Sequence, residues 1–260
     1  MQKAHAHKAR KRFGQNFLQD LTIIERMIAA MRLASDDPVV EVGPGLGALT
    51  LPLLEHLDHL HVIEIDRDLI ERLQARQLSG LTIHSADVLT VDFGALAGAR
   101  KLRVVGNLPY NIGTPLLIRL LECQACIQDV HVMLQKEVVD RLHAEPNTRA
   151  YGRLSVLMQS VFHINPLFTV PPESFDPAPK VQSAVVRLKP RADAPDLQTL
   201  TALQACTRIA FANKRKTLRN NLKGHLNEQE LQSIDINPQA RAETLDLNAF
   251  HRMAKRLSQG

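Results

Sequence analysis

From Pro38 onward the apolar positions fall into short unbroken runs that alternate with stretches of helical spacing. The runs VVEV (39–42), HVIEI (61–65), LTIH (81–84), LRVV (102–105) and VHVML (130–134) predict strands. Between them, LTLPLLEHL and DLIERLQARQ gather their apolar residues on one helical face. Strands that alternate with helices imply right-handed βαβ units and a parallel sheet. Further on, EVVDRLHAE predicts a helix, LSVLMQSVF and SAVVRLK predict two later strands, and the proline-rich VPPESFDPAPKV between these reads as a rigid shaped loop. Beyond LKPRADAPD (188–196) the pattern is helical only. The expected organisation is α/β: a basic arm over residues 1–12, a Rossmann-like domain over 13–192 with a mostly parallel seven-stranded sheet, and a small helical domain over 193–260.

Composition narrows the setting. In 260 residues, 45% hydrophobic, no apolar stretch approaches the roughly 20 residues of a membrane helix, and the amino terminus lacks the apolar core of a signal peptide. Cys123, Cys126 and Cys206 are an odd set with no disulfide framework. ECQACIQ has no second cysteine pair and precedes a strand, so buried or partly buried thiols are expected there and no metal site. A cytosolic protein is expected, with no membrane partner and a monomer as the default state.

The net charge of +5 is unevenly placed. Residues 1–12 carry five cations and no acid, and residues 197–227 carry six and again no acid, whereas residues 13–196 sum to −5. Two basic segments around an acidic body suit a polyanion held at two places; a solvated tail and helix face would give the same count. In NKRKTLRNNLKG, the spacing puts Arg215, Arg219 and Lys223 on one helical face and Leu218 and Leu222 on another. Such a face can follow nucleic-acid phosphates.

Three stretches carry candidate chemistry. EVGPGLGALT sets Gly43, Gly45 and Gly47 directly after the first strand, where the backbone can turn sharply and touch a ligand. That turn alone is also compatible with a dinucleotide. Glu41, Glu64 and Asp87, from the ends of the first three strands, favour a ligand with a ribose, an adenine and a positive charge, such as S-adenosylmethionine. The fourth strand stops at Asn107 in NLPY. The side-chain oxygen of Asn107 and the carbonyl of Leu108, held extended by Pro109, can accept from both N–H groups of an exocyclic amine, and Tyr110 offers a ring for its base. An oxidoreductase reading leaves NLPY without a role.

NLPY resembles the Asn/Asp-Pro-Pro-Tyr motif of exocyclic-amine methyltransferases. Together, RFGQNFLQD, EVGPGLGALT, NLPYNIGTPLL, FDPAPKVQSAVVRL and FANKRKTLRNNL resemble the ribosomal RNA adenine N6-dimethyltransferases, most closely the bacterial small-subunit (16S) branch linked to kasugamycin sensitivity. The resemblance implies a class I methyltransferase that dimethylates two adjacent adenosines in a 3′-terminal hairpin of 16S ribosomal RNA, within the small subunit or its precursor. It also implies that Asn16 and Leu18 close over the donor's methionine part, that Gly43 meets the donor through its backbone, and that Glu64 holds the ribose and Asp87 the adenine. Asn107, Leu108, Pro109 and Tyr110 would form the catalytic site, and Phe175 would sandwich the flipped base against Tyr110. The large-subunit relatives of macrolide-resistance type share nearly every motif, a DNA adenine methyltransferase would carry a larger target-recognition segment, and a role mainly in ribosome assembly stays open.

Overall fold

The computed structural model describes residues 15–259, so the basic arm expected over residues 1–12 lies outside them. In chain order the strands are β1 (Phe17–Leu18), β2 (Val39–Val42), β3 (Leu60–Glu64), β4 (Leu81–Ser85), β5 (Leu102–Asn107), β6 (Ile127–Gln135), β7 (Phe162–Val170), β8 (Phe175–Asp176) and β9 (Ser183–Pro190). The helices are α1 (Leu21–Met31), α2 (Thr50–His56), α3 (Arg67–Gln74), α4 (Phe93–Ala97), α5 (Gly113–Glu122), α6 (Lys136–Leu142), α7 (Arg153–Val161), α8 (Leu197–Ala210), α9 (Leu218–Asn221), α10 (Glu228–Ser233) and α11 (Leu247–Leu257).

Seven strands form one sheet in the order β4-β3-β2-β5-β6-β9-β7. The pairs β3–β4, β2–β3, β2–β5 and β5–β6 are parallel, as the alternation of apolar runs and helices predicts. All four residues of β2 are buried, the expected state of a parallel strand covered on both faces. Strand order reverses at β2, whose neighbours are β3 and β5, and the carboxyl ends at such a reversal are where α/β sheets bind ligands. Gly106 lets β5 approach there, because a Cβ on it would lie 2.5 Å from the Val42 carbonyl oxygen.

Near the amino end of β5, the buried Arg103 binds Asp129 through Nε at 2.9 Å and Nη2 at 2.8 Å, and Asp37 through Nη1 at 2.7 Å. It also donates to the Met31 carbonyl. Burial raises the affinity of the Asp129 carboxyl for a proton, but the His131 ring, 3.6 Å away, and the hydrogen-bonded guanidinium of Arg103 outweigh it and hold its pKa at about 2.

A second, two-stranded sheet has no counterpart in the sequence reading. β1 pairs antiparallel with β8, Phe17 opposite Asp176 and Leu18 opposite Phe175. Asp20 secures this pairing: Oδ1 caps α1 through the N–H groups of Thr22 and Ile23, while Oδ2 accepts from Ser174 Oγ at 3.0 Å. The proline-rich loop is thus partly regular, a 3₁₀ turn at Pro172–Ser174 followed by β8.

The chain divides into two compact units, one running to Lys136 and taking in Pro166–Arg187, the other made of Glu137–Asn165 and the chain from Leu188. Composition marks the return near residue 188; no compositional change marks residue 137. Residues 137–165 group with the later chain because α7 packs on α8 and α11. LSVLMQSVF proves mostly helical: α7 runs to Val161 and β7 starts only at Phe162. A continuous apolar run fits a buried helix as well as a buried strand. Gly152 and Ser155 decide it, Ser155 Oγ accepting from the Gly152 N–H at 3.0 Å and donating to the Arg141 carbonyl at 2.6 Å.

The basic segment also differs from expectation. α9 is only four residues long; Lys214 and Arg215 sit in a turn before it and Lys223 in a turn after it. Thr217 is extended, at φ −70° and ψ 162°, so no helix continues through it. Arg215, Arg219 and Lys223 are therefore exposed but do not share one helical face, while Leu218 and Leu222 are buried as the spacing predicts. Arg219 Nη1 pairs with Glu228 Oε1 at 3.1 Å. The preceding basic turn is held by Asn221 Nδ2, which donates to the carbonyls of Ala210 at 2.7 Å and Asn213 at 3.1 Å.

Candidate active site

A cavity of about 320 Å³ lies within the first unit at the carboxyl ends of β2, β3 and β5. Asn16, Leu18, Glu41, Gly43, Gly45, Glu64, Asp87, Asn107, Leu108, Pro109, Tyr110 and Phe175 all line it. Arg215, Arg219 and Lys223 belong to the second unit.

The glycine turn after β2 works by backbone conformation. Gly43, Gly45 and Gly47 have φ of 68°, 57° and 87°, values that a side chain disfavours. Gly45 also faces the Phe17 ring, whose nearest carbons lie 3.2 Å from where its Cβ would be. Nothing local in the sequence singles out Phe17 between Asn16 and Leu18, because the β1–β8 pairing is what brings it there.

Three carboxylates line the cavity, and no Lys, Arg or His does among the described residues. Glu64 Oε1 accepts from the N–H groups of Ile65 and Asp66, both at 2.9 Å, while Oε2 has, among the described residues, a long 3.4 Å contact from the Gly45 N–H. Burial raises its pKa against those hydrogen bonds. Glu41 is 1% exposed, and its Oε2 accepts from Thr50 Oγ1 at 2.6 Å. Burial, partly opposed by the Thr50 hydrogen bond and reinforced by Glu64, pushes its pKa up to about 8. Asp87 Oδ1 caps a 3₁₀ turn through the Leu89 N–H at 3.0 Å. A lining of this kind suits a cationic nucleoside and repels a pyrophosphate.

Across the cavity, Asn107 Nδ2 donates to the Asn16 carbonyl at 3.1 Å. A carbonyl can only accept, so this bond fixes the amide with Oδ1 as its second, available end. The Leu108 N–H donates to the Met133 carbonyl at 3.2 Å, and the Leu108 carbonyl accepts no backbone hydrogen bond among the described residues. Two acceptors therefore stand at the carboxyl end of β5. The Tyr110 hydroxyl is 3.0 Å from the oxygen of Ser183, a fully buried residue that opens β9. Burial raises the Tyr110 pKa, and the Ser183 bond opposes it. Ser183 stands in the quoted motif FDPAPKVQSAVVRL, but nothing local in the sequence pairs it with Tyr110.

The fold and this strand-end site define a class I, Rossmann-like methyltransferase. The ribosomal RNA adenine dimethylase family model matches residues 6–259. The chain belongs to that family. It is 53% identical over 255 residues, 96% of each chain, to the ribosomal RNA small subunit methyltransferase A of Laribacter hongkongensis. Among solved structures, a dimethyladenosine transferase from Plasmodium falciparum has a TM-score of 0.81 at 24% identity, covering 94% of this chain and 98% of that one. The 23S rRNA methyltransferase ErmE has a TM-score of 0.67 at 26% identity, covering 94% and 100%.

Proposed function

We propose that this chain transfers methyl groups from S-adenosylmethionine to N6 of two adjacent adenosines in the 3′-terminal hairpin of 16S ribosomal RNA during small-subunit maturation. The observation that carries the chemistry is the pair of acceptors at Asn107 and Leu108 beside a cavity lined by carboxylates and, among the described residues, by no cation. The choice of 16S RNA is supported by relatives at 50% identity and above that bear the small-subunit name, against 26% for the 23S enzyme.

Bound in the cavity, S-adenosylmethionine supplies an electrophilic methyl group on a sulfonium. Glu64 Oε2 would accept from the ribose hydroxyls and Asp87 from the adenine amine, while Gly43 and Gly45 present backbone. Asn16 and Leu18 would close the methionine end. On the substrate side, Asn107 Oδ1 and the Leu108 carbonyl draw on the two N–H groups of the target amine and pull its lone pair out of conjugation with the ring. Pro109 holds Leu108 extended so that its carbonyl stays aimed. Tyr110 and Phe175 supply the faces for the flipped base. No strong base is required, since the amine is acidic once methylated and its proton passes to solvent. The basic turn at Lys214–Lys216 and Lys223 would hold RNA phosphates.

The test supplies isotopically labelled donor to unmethylated small subunits and maps the product by mass. Two neighbouring dimethyladenosines near the 3′ end are expected. Labelling of large subunits alone would overturn the 16S assignment, and no transfer to either would overturn the activity.

A further inference from the structure

The carboxylates of the cavity are not equivalent. Glu64 receives three backbone N–H groups, which can stabilise its charge. Glu41 receives one hydroxyl, from Thr50, and is almost fully buried. Of the titratable groups, Glu64 from β3 acts on it with its own negative charge, and Asp87 from the segment after β4 and Tyr110 from the segment after β5 line the same cavity. Asp66, next to Glu64, is buried as well and accepts from Gln15 Nε2 at 3.1 Å. No Lys, Arg or His lines the cavity among the described residues. Among the described residues, a buried carboxylate in such surroundings finds no charge partner of the kind that ionisation requires.

We infer that Glu41 is neutral in the donor-free chain and takes its negative charge only when a cationic donor enters, so that donor binding expels a proton to solvent. The inference rests on the proposed S-adenosylmethionine reading of the cavity and adds to it a charge-sensing role for one residue. Proton and charge balance, since the ligand brings a positive charge and the carboxyl releases one proton. The physical cause is replacement of a missing counter-ion, and it acts on the cationic part of the ligand rather than on its nucleoside. With a donor-free pKa of about 8, the release is close to one proton at pH 7 and fades above pH 8. By the same linkage, affinity for the cation falls about tenfold for each pH unit below 8, down to the point where Glu41 stays protonated in the complex.

The experiment is calorimetric titration of the full chain with S-adenosylmethionine and with 5′-methylthioadenosine, a neutral nucleoside that lacks both cationic groups. Heats measured in phosphate and in Tris between pH 6 and pH 9 give the protons exchanged. Release near one proton at pH 7 is expected for the cation and none for the neutral nucleoside. Glu41→Gln should lose the release, and Thr50→Val, which keeps the carboxyl, should move the pH of half-maximal release upward. Binding of both ligands with equal proton counts would overturn the inference while leaving the donor reading intact. Binding of neither would overturn that reading and the inference together. Should Glu41→Gln fail to fold, the Thr50→Val shift decides: no shift overturns the inference.

Discussion

Asn107 and Asn16 meet across 91 residues of sequence, the side-chain amide of one donating to the main-chain carbonyl of the other at 3.1 Å. The bond spends the N–H end of the amide on the protein and keeps the oxygen for substrate. Asn107→Ala removes that acceptor and should lower single-turnover methyl transfer by about 10²–10³-fold, the usual cost of one transition-state hydrogen bond. Asn107→Asp should fall nearly as far although it retains an acceptor, because a carboxylate oxygen would then face the Asn16 carbonyl. Donor affinity measured in the same samples should change much less than the rate.

Ser183 sets the orientation of Tyr110. Ser183→Ala leaves the phenol oxygen half-buried without its 3.0 Å partner and frees the ring to rotate. The expected result is a rise of about threefold to tenfold in KM for RNA with little change in donor binding, consistent with loss of one neutral hydrogen bond. Tyr110→Ala should lose far more, since it removes the stacking face itself, worth about 1–3 kcal/mol. A tryptophan-free chain makes tyrosine fluorescence a convenient second readout of the ring's environment.

Acid sensitivity should centre on Asp129. Its folded pKa of about 2 lies below the ordinary carboxylate value, so its contribution is complete above the unfolded pKa near 4 and is lost as pH falls from about 4 to about 2. The shift corresponds to about 2 kcal/mol. Asp129→Asn should remove that acid-dependent part and destabilise the chain at pH 7 by a similar amount. Thermal unfolding at a series of pH values checks both statements.

RNA binding should distinguish the arginines of the basic segment. Arg215, in the exposed turn, has its charge available, whereas Arg219 is paired with Glu228 at 3.1 Å. Arg215→Ala should weaken binding to the 3′-terminal hairpin and flatten the log K against log salt slope by just under 1. Arg219→Ala should flatten it less. Equal effects would show that the Glu228 pair does not withhold Arg219 from RNA.

What could be read from sequence follows from range. β2, β3, β5 and β6 show as apolar runs because strands largely covered on both faces carry mostly apolar residues, and the glycine turn and NLPY show because they need particular backbone. The β1–β8 pair was illegible: each strand is two residues long, and the partners lie more than 150 residues apart. KRKTLRNN has helical spacing, yet its helix stops after one turn. The first N–H groups of α9 go to the carbonyls of Ala240 and Pro238, and Gly224 follows Lys223 at φ 84°. Thr50 and Ser183 carry no signature in the sequence, because a lone hydroxyl has none until its partner is in place.

The pairing of Phe17 and Leu18 with Asp176 and Phe175 also orders events during synthesis. A nascent chain that has emerged as far as β6 already carries Gly43, Glu64, Asp87 and Asn107, but it lacks the strand that anchors Phe17 against Gly45. The cavity gains that wall only after residue 176 has left the ribosome, so a chain stalled before that point carries the glycine turn and the acceptors without an enclosed site.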